Sequence, residues 1–168
     1  MPRPRTIPDA DVFRAVRRLL AEGGDKAVAF ASVARATGLA APSLVQRYGS
    51  RDGMLMAALE NRWDALDRQM AEAETLATGA AAFLKALVSE PEQGGLASLA
   101  ADFRNPVLRA RAEAWRERVE AALTQMLGGG AKAREGAALL FAVWQGQALW
   151  HGAGGRAMRL KDVIKRIG

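Results

Sequence analysis

The sequence contains no cysteine, only one histidine and no long apolar segment. The absence of cysteine excludes disulfides, thiolate nucleophiles and cysteine-bound metals, and it fits a cytoplasmic protein. A single histidine cannot build a typical zinc site. No apolar run approaches the roughly 20 residues that a membrane-spanning helix needs. We therefore expect no membrane span, no metal and no other cofactor.

Strict alternation of apolar and polar residues, which is typical of a half-buried strand, is also missing. Apolar residues recur instead at helical spacing. Val12, Val16 and Leu19 form one such stripe, and Val163 and Ile167 belong to another near the end of the chain. These patterns predict an all-α protein.

Capping residues and glycines predict where several helices begin and end. Asp9 is expected to cap the first helix, and Ser50 and Asn105 to cap two later ones. Gly38 is expected to end the second helix, because glycine readily adopts the left-handed conformation found there. A strongly apolar helix is expected over 133–150.

Charge is distributed unevenly along the chain, whose formal net charge is +6. Residues 1–52 hold nine Lys and Arg against five Asp and Glu, whereas residues 53–103 hold three against eight. The remainder is again basic. A basic module at the start indicates a polyanionic partner, while the basic residues of the last third are interpreted as solvated helix faces.

The segment SVARATGLAAPSLVQRYGSRDGM, residues 32–54, contains two short helical patterns that meet at Gly38. Two short helices joined at a glycine-containing turn, behind a longer first helix, form a helix-turn-helix. The first three helices are expected to bury one small core. Its expected members are Val12, Val16, Leu19, Phe30, Val33, Leu39, Leu44 and Tyr48.

The opposite side of the third helix carries Ser43, Gln46 and Arg47. This side is free to enter a DNA major groove, whose width accepts one helix. Gln pairs bidentately with adenine, Arg pairs with guanine or a phosphate, and a Ser hydroxyl donates to a phosphate. Arg35, on the second helix, either reaches the DNA backbone or remains a solvated surface charge. A basic N-terminal arm in a minor groove, carrying Arg3, is a further alternative.

Residues 9–60 resemble the signature of TetR-family transcriptional regulators. The matching positions are Val33-Ala34, Gly38, Ser43-Leu44, Tyr48 and Ser50-Arg51-Asp52. Two features depart from the family pattern. Ala40-Ala41 stand where the family often has a capping Ser or Thr, and Val45 and Gln46 stand where it usually has aromatic residues.

The resemblance implies an N-terminal three-helix helix-turn-helix DNA-binding domain over 1–50. It also implies a helical effector-binding and dimerisation domain over 51–168. Arg51 corresponds to a family lysine that contacts a phosphate, and the substitution keeps the charge. The expected DNA-binding residues are Ser43, Gln46, Arg47, Tyr48, Arg51 and Arg35.

The last two helices are the expected homodimer interface, because the 133–150 helix carries too much apolar surface for a solvent-facing element. Gly136 and Gly146 would let a partner helix approach closely. The alternative is that both helices pack inside a monomer. The expected dimerisation residues are Phe141, Ala148, Leu149, Val163, Ile164 and Ile167.

Large apolar side chains in the second domain form a candidate small-molecule site, which the family resemblance favours. With few charged residues among them, they would bind a small, largely apolar or aromatic ligand. The alternative is that these side chains are ordinary core. The candidate lining residues are Trp63, Met70, Phe83, Phe103, Trp115, Met126 and Trp144.

The sequence offers no catalytic constellation. His151 has no acidic neighbour in sequence, and no nucleophile or phosphate-loop motif is complete. We therefore expect that the protein is not an enzyme. The predicted function is a dimeric, sequence-specific transcriptional regulator, with repression the expected sign, that a ligand releases from a palindromic operator. The alternative is a helical small-molecule-binding or protein-interaction module without DNA binding.

Overall fold

The structure is a computed structural model that describes residues 7–87, 96–150, 153–154 and 158–167. Across these residues the regular structure is helical and contains no strand, so the predicted all-α class is confirmed. The α-helices are α1 Asp9–Gly23, α2 Phe30–Thr37, α3 Ala41–Tyr48, α4 Arg51–Leu76, α5 Ala80–Ala86, α6 Pro106–Met126, α7 Gly130–Trp150 and α8 Leu160–Ile167. Two 3-10 helices, Asp25–Ala27 and Leu96–Arg104, complete the order. Arg3, Arg5 and His151 lie outside the described residues.

Two of the three predicted helix caps are confirmed. Ser50 Oγ accepts a hydrogen bond of 2.9 Å from a backbone N–H in the first turn of α4. Asn105 Oδ1 accepts one of 2.9 Å at the start of α6. Asp9, however, is the first residue of α1 rather than its cap, which is Pro8. The Asp9 carboxylate instead accepts hydrogen bonds from side chains of α3.

The glycine that joins α2 to α3 adopts the conformation its position requires. Gly38 has φ 75°, in the left-handed region, and its N–H donates to the Ala34 carbonyl. This geometry ends α2 as predicted. The 3-10 helix Leu96–Arg104 was not expected, and α7 begins at Gly130 rather than at Ala133.

The chain divides into two compact units, Met1–Asp64 and Ala65–Gly168. Unit 1 holds a small, aliphatic core of Val12, Val16, Val28, Val33, Leu44, Met54 and Ala58. Leu19, Phe30, Leu39 and Tyr48 pack partly buried against it. All eight predicted core residues are therefore in or against this core. Because Met54 and Ala58 of α4 belong to it, the division falls within α4 rather than at residue 50.

Unit 2 is built around the pairing of α6 with α7. The 3-10 helix Leu96–Arg104 packs against both of them, and α8 packs against α7 and α5. An ion-pair cluster ties α4 to α6, since the Asp67 carboxylate accepts from Arg111 Nη2 at 2.7 Å and from Arg118 Nη1 at 3.0 Å. None of the helices in the described part of the chain combines the length and apolar character needed to cross a bilayer.

Candidate nucleic-acid interface

Helix α3 is anchored by one fully buried side chain. Leu44 has no exposed surface and lies in the unit 1 core with Val33 of α2. Pro42 occupies the first turn of α3, where its missing N–H costs nothing. Ala40, at the N-cap, provides no side-chain hydrogen bond. The packing of Leu44, rather than a cap, therefore fixes which side of α3 faces solvent.

The solvent side of α3 carries the residues that the sequence predicted for it. Ser43, Gln46 and Arg47 are all exposed, and Val45 is 44% exposed between them. Within the described residues, the side chains of Ser43 and Gln46 make no hydrogen bond or ion pair. The same holds for Arg35, which is exposed on α2. These polar groups remain available to a partner.

Arg47 and Tyr48, by contrast, are tied to the beginning of α1. Arg47 Nη1 donates to the Ile7 carbonyl at 3.0 Å and to the Asp9 carboxylate at 3.2 Å. The Tyr48 hydroxyl donates to the same carboxylate. The Tyr48 ring packs against Phe13, with a centroid distance of 5.9 Å. Burial and, second, the hydrogen bond to Asp9 raise the pKa of Tyr48 to about 12.

Sequence reasoning missed Asp9 as a member of this arrangement. Its partners lie 38 and 39 residues away along the chain, so no local pattern links them. The contact uses only one nitrogen of the Arg47 guanidinium. The other N–H groups of Arg47 are not engaged by Asp9 or Ile7, and Arg47 is held at the edge of the exposed face of α3.

Arg51 is also engaged within unit 1. Its Nε donates to the Val28 carbonyl at 2.9 Å, and its Nη2 lies 2.6 Å from the Asp25 carboxylate. Nη1 contacts the Asp52 carboxylate at 2.7 Å. Hydrogen bonds to Asp25 and, second, to Asp52 raise the pKa of Arg51. Arg51 thus joins the start of α4 to the loop after α1, and a phosphate contact would have to share its guanidinium with these partners.

A cleft of about 550 Å³ lies elsewhere in unit 1. Its lining residues are Ile7, Pro8, Asp11, Arg14, Ala15, Arg18, Ala36 and Thr37. They come from the start of the chain, from α1 and from the end of α2, and none of the predicted site residues is among them. The sequence held no signal for this cleft, because its walls combine small and charged residues without a common spacing.

Comparison with known proteins places this arrangement in a familiar fold. A scan against models of protein families and a search of curated proteins both found no match. A transcriptional regulator from Rhodococcus sp. Rha1 matches with a TM-score of 0.71 and 21% identity, over 96% of this chain and 94% of that one. A TetR transcriptional regulator from Legionella pneumophila matches with a TM-score of 0.69 and 16% identity, over 98% and 97%. The chain has the TetR-regulator fold.

The likeness to TetR regulators extends over both units, whereas the sequence resemblance covers only residues 9–60. A Saccharomonospora viridis protein solved in complex with choline also matches, with a TM-score of 0.66 and 19% identity over 95% of this chain and 92% of that one. The matched proteins named as TetR regulators are transcriptional regulators and not enzymes. This agrees with the expectation that the chain has no catalytic function.

The predicted ligand-lining residues do not gather around one described cavity. Trp63 belongs to unit 1, whereas the others belong to unit 2. Trp63, Met70, Phe83, Trp115 and Trp144 are buried, Met126 is partly buried, and Phe103 is 46% exposed. Trp115 and Trp144 pack against each other at a centroid distance of 6.5 Å, and Phe141 packs against both at 6.3 and 5.8 Å. These three rings fill the space between α6 and α7 with their own contacts.

The predicted dimerisation residues fall on both sides of the surface of unit 2. Phe141 and Val163 are buried, so their side chains pack within the chain. Ala148 and Leu149 are exposed, while Ile164 and Ile167 are partly buried. The TetR-regulator fold of this chain therefore uses Phe141 and Val163 as core, because each lies on the side of its helix that faces the rest of unit 2.

Gly136 allows a close approach within the chain rather than by a partner. A Cβ at Gly136 would clash with the Cγ2 atom of Ile167, so α8 packs directly on the backbone of α7 at this point. A Cβ at Gly146, in contrast, would meet no described atom within 4 Å. The side of α7 around Gly146 is the exposed one, and it carries Leu139 and Leu149, each 59% exposed.

Proposed function

We propose that this protein is a dimeric, sequence-specific DNA-binding transcriptional regulator. The observation that carries the proposal is the exposed face of α3, on which Ser43 and Gln46 have no partner in the described chain and Arg47 is held in place at the edge. Such a face suits the major groove of DNA, which accepts one helix and presents hydrogen-bonding base edges to it. The TetR-regulator fold supports the same function.

Each polar residue of the face has a distinct role in the proposal. Gln46 pairs bidentately with adenine, and Ser43 donates to a phosphate. The N–H groups of Arg47 that Asp9 leaves available reach a guanine or a phosphate. Arg35, which is exposed and has no described partner, contacts the DNA backbone beside α3. Arg51 and Tyr48 contribute phosphate contacts while they keep their bonds within unit 1.

The proposed dimer forms through the exposed apolar side of α7 together with α8. Leu139, Leu149 and Trp150 are 59%, 59% and 62% exposed. Exposed apolar side chains grouped on one helix are typical of a protein–protein contact. A two-fold dimer presents two α3 helices to DNA, and these would bind two half-sites about one turn, or a multiple of it, apart. The operator would then be palindromic.

The proposed regulation is release by a small, largely apolar ligand that binds unit 2. Such a ligand shifts the protein only if it binds one arrangement of the chain better than another. The buried aromatic residues of unit 2 are the proposed contacts, and ring packing such as that of Trp115 with Phe141 and Trp144 would have to open to admit it. Release of the operator makes the regulator a repressor where that operator overlaps a promoter.

The first experiment selects bound duplexes from a random DNA pool at near-physiological salt. We expect a palindromic motif for the wild-type protein, and a lost or blurred position in each half-site for Gln46→Ala. Gln125→Ala is the matched control, because Gln125 is also an exposed glutamine on a helix, at the end of α6. The control should select the same motif as the wild type.

Two outcomes would change the proposal. A palindrome that is unchanged by Gln46→Ala would keep the regulatory function and move base recognition to other residues of α3. Failure to enrich any sequence, with folded protein and no salt-dependent binding to random duplex, would favour the helical binding module without DNA contact. The salt dependence decides between them, since its slope counts the phosphates that the protein neutralises.

The dimer is tested separately by sedimentation velocity with Ala142→Glu and Ala121→Glu. Both alanines are exposed on long helices, Ala142 on the exposed side of α7 and Ala121 on α6. We expect Ala142→Glu to sediment as a monomer, because it places charges in an apolar contact, and Ala121→Glu to remain dimeric. Two dimeric variants would place the interface elsewhere.

The ligand is tested by thermal unfolding in the presence of a panel of small apolar and aromatic compounds. A binding compound raises the unfolding temperature in proportion to the logarithm of its concentration, and it should lower the affinity for the selected duplex. Choline belongs in the panel, because the Saccharomonospora viridis protein was solved with it. A compound that stabilises the protein without affecting DNA binding would argue against release as the mechanism.

A further inference from the structure

The exposed face of α3 has two chemically different edges. With 3.6 residues per turn, Gln46 lies nearly opposite the buried Leu44. Ser43 and Arg47, one turn apart, form a polar edge on one side of Gln46. Pro42 and Val45, also about one turn apart, form an apolar edge on the other, and both are exposed.

Packing within the chain does not account for the apolar edge. Val45 is 44% exposed, while Leu44 beside it has no exposed surface and supplies the contact of α3 with the unit 1 core. Valine is also a poorer helix former than most polar residues that would suit an exposed position in a short helix. The position therefore carries an apolar group where neither the core nor helix formation requires one.

The chemistry of DNA offers one apolar group to such an edge. In the major groove, the C5-methyl group of thymine is the apolar feature among hydrogen-bond donors and acceptors, and small apolar side chains contact it. Because Val45 adjoins Gln46 on α3, the two side chains would face neighbouring base pairs when the helix lies in the groove.

We propose that Val45 is a specificity-determining residue that contacts a thymine methyl group next to the adenine bound by Gln46. The inference rests on the proposed function and adds a base preference to it. Each half-site then contains two neighbouring A·T pairs, one recognised by the amide of Gln46 and the other by the methyl contact. Pro42 extends the same apolar edge by one turn towards the start of α3.

The test replaces single thymines of the selected duplex by deoxyuridine, which removes only the methyl group and leaves base pairing intact. We expect one position in each half-site at which uracil weakens wild-type binding by about fourfold, since burial of one methyl or methylene group contributes about 0.8 kcal/mol. Val45→Ala should bind the thymine duplex more weakly and show little or no further loss with uracil at that position. Gln46→Ala should remain sensitive to it.

Val107→Ala is the matched control, because Val107 is an exposed valine, 54% accessible, at the start of α6. It should keep the wild-type response to uracil. The proposal is overturned if no uracil position distinguishes wild type from Val45→Ala. It is also overturned if Val45→Ala leaves DNA binding unchanged but alters self-association, since the apolar edge would then serve a protein contact. Absence of any selected motif would instead contradict the proposed function itself.

Discussion

The two units of this chain differ in what they bury and in what they leave exposed. Unit 1 has a small aliphatic core, and the described solvent side of α3 is largely polar. Unit 2 buries large aromatic side chains, such as Phe83 and Trp115, yet it leaves Leu149 and Trp150 exposed on α7. The same helical pattern therefore produces a surface suited to hydrogen bonding in one unit and an apolar surface in the other.

The arginines of the two units differ in a related way. In unit 1, Arg47 and Arg51 donate to backbone carbonyl oxygens that hold different segments together. In unit 2, Arg111 and Arg118 share one carboxylate, that of Asp67. Small cores provide limited stability, so fixed polar contacts that join the ends of short helices matter more in unit 1. The proposed DNA-binding face thus depends on contacts behind it as well as on its own residues.

The largest effect is expected from truncation of the unit 1 core. Leu44→Ala should lower the free energy of unfolding of unit 1 by about 3 kcal/mol, because it leaves a cavity in a small core. Hydrogen exchange followed by mass spectrometry should show faster exchange in α2 and α3. Leu76→Ala is the matched control, since Leu76 is 79% exposed at the end of α4. Equal exchange in both variants would contradict the assignment of Leu44 as the anchor of α3.

A smaller effect is expected from filling the close contact in unit 2. Gly136→Ala should destabilise the protein by about 1–3 kcal/mol, because the added methyl group meets the stiff β-branched side chain of Ile167. Gly146→Ala should be neutral or stabilising by up to about 1 kcal/mol, because Ala favours the helix and meets no described atom. Urea unfolding measures both. If the two variants prove equally stable, α8 does not pack on α7 as described.

The contact between α1 and α3 predicts a pH dependence of modest size. The pKa of Tyr48 is raised to about 12, above its ordinary value near 10. The folded state therefore holds this proton more tightly, and the stability it contributes is present below about pH 10 and is lost as the pH rises towards 12. Because Asp9 and Arg47 are exposed, we expect under about 1 kcal/mol from their ion pair.

The ultraviolet absorbance of tyrosinate reports this titration directly, since Tyr48 is the only tyrosine in the chain. Asp9→Asn should lower the pKa of Tyr48 but not return it to 10, because burial is the larger cause of the shift. Asp11→Asn, two residues further along α1, is the matched control and should leave the titration unchanged. A Tyr48 pKa near 10 in the wild type would contradict the contact.

The smallest effect concerns one phosphate contact. Arg35→Ala should weaken DNA binding similarly for all sequences and reduce the salt slope by about one counterion. Arg68→Ala is the matched control, since Arg68 is exposed on α4 and has no partner within the described residues. Binding measured at several salt concentrations distinguishes the two variants. An unchanged slope for Arg35→Ala would leave Arg35 as a solvated surface charge.

Much of the fold followed from local patterns. The periodicity of Val12 and Val16 and the caps at Ser50 and Asn105 depend on neighbouring residues, so the sequence carried enough information to predict them. The cap expected at Asp9 was wrong for the opposite reason. The carboxylate had better partners in Arg47 and Tyr48, which the fold brings to it from the far end of α3.

The sequence by itself determined the helical class, the turn at Gly38 and the residues on the solvent side of α3, because each depends on spacing within a few turns. Only the tertiary structure decided that Phe141 and Val163 are core, that Gly136 accommodates Ile167, and that Arg51 is held by the loop after α1. Helical periodicity places an apolar side chain on one face of a helix. Which neighbour covers that face depends on contacts between residues that are distant in the chain.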